Sequence, residues 1–261
     1  IIVYMKKLSA CLCAFLFSLW VFALPAQAVG YQPSYDVKAA AAYIVNLDTN
    51  LIVYDHNSEE SLAAASLTKL MTAILLLEEY GDDLDNTTAT VSNAVQDYVY
   101  IHAGSNADIR AGESRTLRQM LYAMMLPSAN EAASTVADYL GGGSIPNFCY
   151  LMNARAKELG CTNTNFTCAH GLYGMAEDNY STAHAMYLIA KACYDLGEPF
   201  MDVVTTLQYE MPATNKHAEP YNIFTTNYMM RPTSPVYRSY IQGIKTGSTD
   251  EVGYNLISTA K

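Results

Sequence analysis

Residues 63–77 read as a helix, and beyond Lys69 the pattern is apolar nearly all round, with Leu70, Met71, Ile74, Leu75 and Leu77. A helix without a polar face is buried rather than laid on a surface. The pattern predicts a core helix that stops near Gly81. Its first turn carries Ser66 and Lys69. Residues three apart share one face, so the two side chains can meet. They sit at the end of a buried helix, beside the positive pole of its dipole.

The same reading places the other elements. Residues 37–57 read as a β-hairpin, with strands over 42–47 and 51–54 joined by Asp48-Thr49-Asn50. Residues 81–108 are polar and mixed, with a short strand-like piece at 88–91 and no clear assignment beyond it. Thr116-Leu117-Arg118-Gln119 is a capping box that opens a helix through Leu126, where Pro127 ends it. Ser128-Ala129-Asn130 falls in the turn before a helix over 130–140, which Gly141-Gly142-Gly143 closes. Ser144 and Pro146 open a helix that ends at Gly160. A long connection over 162–178 contains His170-Gly171-Leu172. Ser181 caps a further helix to Asp195, stopped by Gly197. The remainder turns strand-like at 206–211, 221–230, 237–246 and 253–259. Helices in the middle and strands at the end predict a mixed α/β fold: a mainly antiparallel sheet with flanking helices and a helical subdomain.

Composition narrows the function classes. The net charge is −10, from 15 basic and 25 acidic residues, and nucleic-acid binding needs a basic footprint. At 261 residues the chain is long enough for one large domain or two small ones. Met5-Lys6-Lys7, the apolar run over 8–24 and Pro25-Ala26-Gln27-Ala28 have the order of a secretory signal with an A-x-A cleavage site. Residues 1–28 are therefore expected to be removed, leaving 29–261 extracytoplasmic. Losing Lys6 and Lys7 takes the net charge to −12. Cys149, Cys161, Cys168 and Cys193 remain in the mature chain. Export permits disulfides, and four cysteines allow three pairings. Cys149 and Cys193 fall in helical patterns and read as small core residues. The cysteine spacings match no metal-ligand pattern, so no metal is expected.

The chemistry is carried by three short motifs in order: Ser66-Leu67-Thr68-Lys69, Ser128-Ala129-Asn130 and Lys245-Thr246-Gly247. Each is weak alone. Together, on the expected helix, turn and strand, they form the S-x-x-K, S-x-N and K-T-G set of penicillin-recognising serine enzymes. The likeness extends to Ala64–Ala73, to Ser128–Ala133, to Met152-Asn153 with Ala156–Gly160, to Ser181-Thr182-Ala183, and to Gly243–Thr249 with Gly253–Leu256. On these stretches the chain resembles the serine-type D-alanyl-D-alanine carboxypeptidases, the low-molecular-mass penicillin-binding proteins, from about residue 38 to its end. It departs from them at Ala64 and Ala185, neither of which touches the chemistry; Ala129 stands where class A β-lactamases carry Asp but is usual in the carboxypeptidases. Members of that family continue with a further strand, a closing helix, a small β-rich domain and often an amphipathic anchor. The resemblance therefore implies a β-lactamase/transpeptidase-like domain that is incomplete at its C-terminal end.

The resemblance also implies roles. Ser66 would attack the carbonyl of the penultimate D-alanine of a peptidoglycan stem peptide and become acylated. Lys69 would act as base if burial and the nearby Lys245 lower its pKa from about 10.4. Ser128 would relay the proton to the leaving amine. Asn130 would hold substrate and Lys69. The Lys245-Thr246-Gly247 edge would pair with an extended peptide, and Lys245 with the Thr246 and Ser248 hydroxyls would hold its carboxylate. The oxyanion hole would be the N–H groups of Ser66 and Ser248. His170 reads as a structural loop residue. No cofactor is implied, β-lactams become covalent inhibitors, and membrane contact comes only through the signal or an absent anchor. A class A β-lactamase would need a Glu-x-x-Leu-Asn loop, which residues 130–245 lack. The remaining alternative is a catalytically inactive wall-binding fragment.

Overall fold

The structure, a computed structural model, describes residues 31–172, 179–250 and 252–261. The expected signal segment and residues 173–178 of the long connection lie outside the described residues. The chain divides into two compact units, Ile1–His56 and Asn57–Lys261.

In the first unit, β1 (Ala42–Asn46) and β2 (Leu51–His56) form the expected antiparallel hairpin. The Asn46 side-chain carbonyl accepts from the Thr49 backbone N–H and hydroxyl, each at 2.9 Å. Asn50 takes a left-handed φ of 55°. Asparagine is one of the few side chains that tolerate this at a tight turn.

The second unit is built around α1 (Lys69–Tyr80), whose residues are buried through Leu77 except for the half-buried Leu75. Five helices pack against it: α3 (Leu117–Met125), α4 (Asn130–Leu140), α5 (Ile145–Glu158), α6 (Ala183–Asp195) and α7 (Glu198–Thr205). The remaining helix, α2 (Asn93–Ile101), packs on α4. The capping box at α3 forms as the sequence predicts, with the Thr116 hydroxyl accepting from Gln119 N and the Gln119 side chain accepting from Thr116 N. Ser144 caps α5, with Pro146 in its first turn.

Strand pairing in this unit is antiparallel throughout the described residues, in four two-stranded ladders. They are β3 (Leu62–Ala63) with β6 (Tyr180–Ser181), β4 (Thr88–Thr90) with β5 (Ser114–Thr116), β7 (Gln208–Met211) with β8 (Tyr221–Phe224), and β9 (Ile241–Thr249) with β10 (Gly253–Ala260). The last is the long one, and β9 lies against α7 and the Ser66 turn.

Several elements differ from expectation for physical reasons. Ser66 sits in a 3-10 turn, Ala65–Thr68, and the α-helix begins only at Lys69. Ala65 has φ +47°, and an L-residue in the left-handed region cannot continue a right-handed helix. Thr182, not Ser181, caps α6, because Ser181 is committed to the β3 ladder and its hydroxyl bonds Thr164 at 2.9 Å. The strand expected over 221–230 ends at Phe224, where Asn227 caps a 3-10 turn over Tyr228–Met230. Helices α2 and α7 were not anticipated; each begins at an ordinary signal, a Ser92 cap for α2 and Gly197 with Pro199 for α7. The four described cysteines are buried free thiols rather than disulfide partners.

A buried ion pair ties loops together beside β5. Arg115 and Glu113 are both fully buried, with Nη2 2.6 Å from Oε1. Arg115 also donates to the Pro212 carbonyl at 2.5 Å. Glu113 accepts from Arg110 N and from the Thr214 hydroxyl, both at 2.9 Å, and His217 bridges it to Asp108.

Candidate active site

Strand β3 delivers the chain into the Ser66 turn, and residues 168–171 wrap that turn. Gly171 has φ +77°, and a Cβ there would come 1.8 Å from the Ala65 carbonyl oxygen. Only glycine permits this approach. Thr72 donates to the Ala169 carbonyl at 2.7 Å, and Thr68 accepts from the Asn179 amide at 2.8 Å. The nucleophile candidate is thus clamped by a segment about a hundred residues away in the chain.

Lys69 is fully buried at the start of α1. Its Nζ reaches the Ser66 hydroxyl at 3.0 Å, the Asn130 side-chain carbonyl at 2.7 Å and the His170 backbone carbonyl at 2.9 Å. The two carbonyls can only accept, so they use two of its protons. The third contact, a hydroxyl, can donate to a neutral amine or accept from an ammonium. Burial lowers the Lys69 pKa to about 7, against the opposing influence of Cys168 and Glu131. No carboxylate forms a salt bridge with it among the described residues. His170 contributes its carbonyl, not its ring. The ring accepts from Leu172 N at 3.0 Å, and burial, with the Lys69 and His102 charges, lowers its pKa to about 3.

Ser128 and Asn130 come from the turn between α3 and α4. Ser128 has φ +66°, and its buried hydroxyl finds no hydrogen-bond partner among the described residues. Asn130 N donates to the Ser105 carbonyl at 2.8 Å. A Cβ on Gly104 would lie 2.3 Å from the Asn130 amide nitrogen, so a bare backbone is needed where the 104–109 loop passes the site.

Strand β9 closes the third side. One edge pairs with β10, setting Lys245 opposite Ile257 and Gly247 opposite Asn255. The other edge meets the Ser66 turn: a Cβ on Gly247 would stand 3.1 Å from Ser66 N. Lys245 is buried and donates to the Thr246 carbonyl at 2.9 Å. Burial, reinforced by the Lys69 charge, holds its pKa well below the usual lysine value. The Thr246 hydroxyl lies 2.5 Å from that of Thr226, and Asn227 donates to the Gly243 carbonyl at 2.9 Å. Ser248 is exposed at the end of this edge.

Ser66, Lys69 and Asn130 are therefore bonded in one cluster, with Gly247 against Ser66 and Lys245 within electrostatic reach of Lys69. Ser128 is beside them in the chain but bonded to none of them. Sequence reading missed the supporting residues. Gly171 was visible only as part of a tripeptide, and nothing local signals that Ala65 needs it. Thr226 and Asn227 were hidden inside an expected strand. Glu131, directly after the Ser128-Ala129-Asn130 motif and within the resembling stretch 128–133, carries no role in the sequence pattern and is buried at this site.

The sequence and the fold are similar to those of known proteins. A family model described as D-alanyl-D-alanine carboxypeptidase matches residues 27–261. Among curated relatives, D-alanyl-D-alanine carboxypeptidase DacF of Bacillus subtilis is 31% identical over 226 residues, covering 86% of this chain and 54% of its own. A D-alanyl-D-alanine carboxypeptidase of Streptomyces sp. is 33% identical over 245 residues, covering 91% and 80%. The chain thus spans about half the length of the Bacillus relative and four fifths of the Streptomyces one. Among solved structures, a Streptomyces DD-transpeptidase superposes with a TM-score of 0.77 at 31% identity, covering 88% of this chain and 87% of that one. The D-alanyl-D-alanine carboxypeptidase DacD of Francisella tularensis gives 0.73 at 25% identity, covering 91% and 66%. On the family match and on identity over most of its length, the chain belongs to the D-alanyl-D-alanine carboxypeptidase family.

Proposed function

We propose that the protein removes the terminal D-alanine from peptidoglycan pentapeptides outside the cytoplasm, after cleavage of residues 1–28, through an acyl-enzyme on Ser66. The observation that carries the reading is the Lys69 amine, buried, lowered to about 7 and 3.0 Å from the Ser66 hydroxyl. A lysine so placed is neutral often enough near pH 7 to act as general base. Ser66 Oγ attacks the penultimate D-alanine carbonyl carbon while its proton passes to Lys69. The oxyanion is held by the N–H groups of Ser66 and Ser248. The C–N bond then breaks, and the leaving amine of D-alanine takes a proton through the Ser128 hydroxyl. Water hydrolyses the ester, returning free Ser66 and a shortened peptide. Asn130 orients Lys69 and the peptide, and Lys245 with Thr246 and Ser248 takes the terminal carboxylate at the Gly247 edge.

Fluorescent penicillin should label Ser66 covalently, because its ring carbonyl falls at the same point and its tethered leaving group obstructs water. Ser66→Ala should abolish both the label and D-alanine release. Labelling of Ser66→Ala at the wild-type rate would overturn the reading. A similar solved structure is described as a DD-transpeptidase, which favours a second outcome for the same acyl-enzyme: transfer to an amine instead of water. Adding an acceptor amine to the D-alanine assay separates the two, since a transpeptidase yields the amide product at the expense of the free acid. Many-turnover hydrolysis of a chromogenic cephalosporin would instead indicate a β-lactamase.

A further inference from the structure

Glu131 lies in the first turn of α4, one residue after Asn130, and is 2% exposed. One carboxylate oxygen accepts from Ala107 N at 2.6 Å and Ile109 N at 3.4 Å. The other has no hydrogen-bond partner among the described residues. The loop it grips is the loop whose Ser105 carbonyl takes Asn130 N, and the Tyr221 hydroxyl donates to the Ala107 carbonyl at 2.8 Å. A closed ring results: Asn130 to Ser105, along the loop to Ala107, and back through Glu131. A carboxylate left half-satisfied in such a place costs stability, so packing alone does not account for it.

We propose that Glu131 is a positioning residue that fixes Asn130 through the 105–109 loop and, by its buried charge, favours the ammonium form of Lys69. This deepens the reading in which Lys69 serves Ser66. The charged or titratable groups facing Lys69 are Glu131 from α4, Cys168 and His170 from the wrapping segment, and Lys245 from β9; Tyr221 from β8 faces Glu131. Of these, Glu131 is the carboxylate. Burial pushes its own pKa up to about 7, while Lys69 and the loop amides draw it down. Near neutral pH, therefore, the charge on each of Glu131 and Lys69 bears on the protonation of the other. An ionised Glu131 favours the ammonium; a protonated one releases the amine.

The test is direct titration of Lys69, followed by NMR on protein carrying ¹³Cε-lysine. Glu131→Gln keeps an acceptor for Ala107 N and removes the charge, so the Lys69 midpoint should fall by about half a pH unit or more. Glu131→Asp should leave it near the wild-type value. Coupling is reciprocal, so Lys69→Met should raise the Glu131 midpoint, read from its ¹³Cδ signal, and this serves if Glu131→Gln does not fold. An unmoved Lys69 midpoint in Glu131→Gln, or an unmoved Glu131 midpoint in Lys69→Met, would overturn the proposal. Penicillin labelling of wild-type protein reports separately on the Ser66 reading: absent labelling with a shifted midpoint would sink that reading and leave the charge coupling standing. With labelling intact, the acid limb of its rate should move down with the midpoint, making Glu131→Gln about 3-fold faster relative to its plateau on that limb. A purely structural role would lower the rate at every pH and leave the limb in place.

Discussion

Two buried charge sites in this protein follow opposite rules. Around Arg115 and Glu113, opposite charges meet at 2.6 Å, and the Glu113 carboxylate also accepts from Arg110 N and the Thr214 hydroxyl, although Arg115 Nε and Nη2 make no well-directed hydrogen bond among the described residues. Around Lys69 and Lys245, two amines are buried without a salt bridge among the described residues, and both are pushed toward the neutral form. Among the described residues, Glu131 nearby is half-bonded and the Ser128 hydroxyl has no hydrogen-bond partner. The first arrangement joins opposite charges across neighbouring loops. The second keeps protons movable, which a structural site does not require. Buried amines with lowered pKa and no opposite charge bonded to them mark chemistry, whereas a buried pair of opposite charges marks architecture.

The largest contrast should come from Lys69→Met. Penicillin acylation is expected to slow by about 10²–10⁴-fold, the range for losing a general base, while the protein stays folded. The wild-type amine is lowered from 10.5 to about 7. Between those values the unfolded chain holds a proton that the folded chain does not. Stability due to this group therefore rises as pH climbs from about 7 to about 10.5. The melting temperature of Lys69→Met, taken relative to wild type, should be highest near pH 7 and decline toward pH 10. A flat difference would mean Lys69 is not lowered.

Arg115→Met should do the reverse. It strands Glu113 as an uncompensated buried charge, so urea melts should show a loss of about 3–5 kcal/mol. The fraction still folded should be labelled at the wild-type rate. If labelling fell with stability unchanged, the division between the two sites would be wrong.

Gly171→Ala tests the wrap over the Ser66 turn. A methyl 1.8 Å from the Ala65 carbonyl at φ +77° cannot be absorbed locally, and a loss of about 2–4 kcal/mol is expected. The smallest effect belongs to Gly247→Ala. Its methyl would press on Ser66 N at 3.1 Å, slowing acylation by about 10-fold through misplacement with little change in the melt. An equal loss of stability would place Gly247 with the packing instead.

Much of this was legible in the chain because it is local. The α3 capping box, the Ser144-Pro146 start of α5 and the glycines after α4 are short-range signals, and the structure uses them as written. Ser66 and Lys69 were paired by helical spacing alone. The misreadings arise where distant segments decide. No local pattern says that Arg115 will find a carbonyl 97 residues on, or that Gly171 must lie flat on Ala65. Ser181 looks like a cap until its ladder partner Leu62 is known. Helix α7 has only eight residues, too few for a periodicity to declare itself. Asn227 ends a strand through side-chain bonds that a hydrophobic pattern does not encode.

The four free thiols give this protein a set of internal clocks. Cys193 packs against α1, where its thiol donates to the Leu70 carbonyl, and Cys149 and Cys161 are buried around α5. Cys168 sits under the Ser66 turn with its sulfur accepting from Gly171 N. Burial raises the pKa of all four, so an alkylating reagent meets no thiolate until the surrounding structure opens. In protein lacking Cys11 and Cys13, each modification rate would time one opening event. Cys193 times the parting of the helical core, and Cys168 the lifting of the segment that covers the site. The ratio of those rates, with and without bound penicillin, would show whether acylation fastens only the cleft or the whole fold.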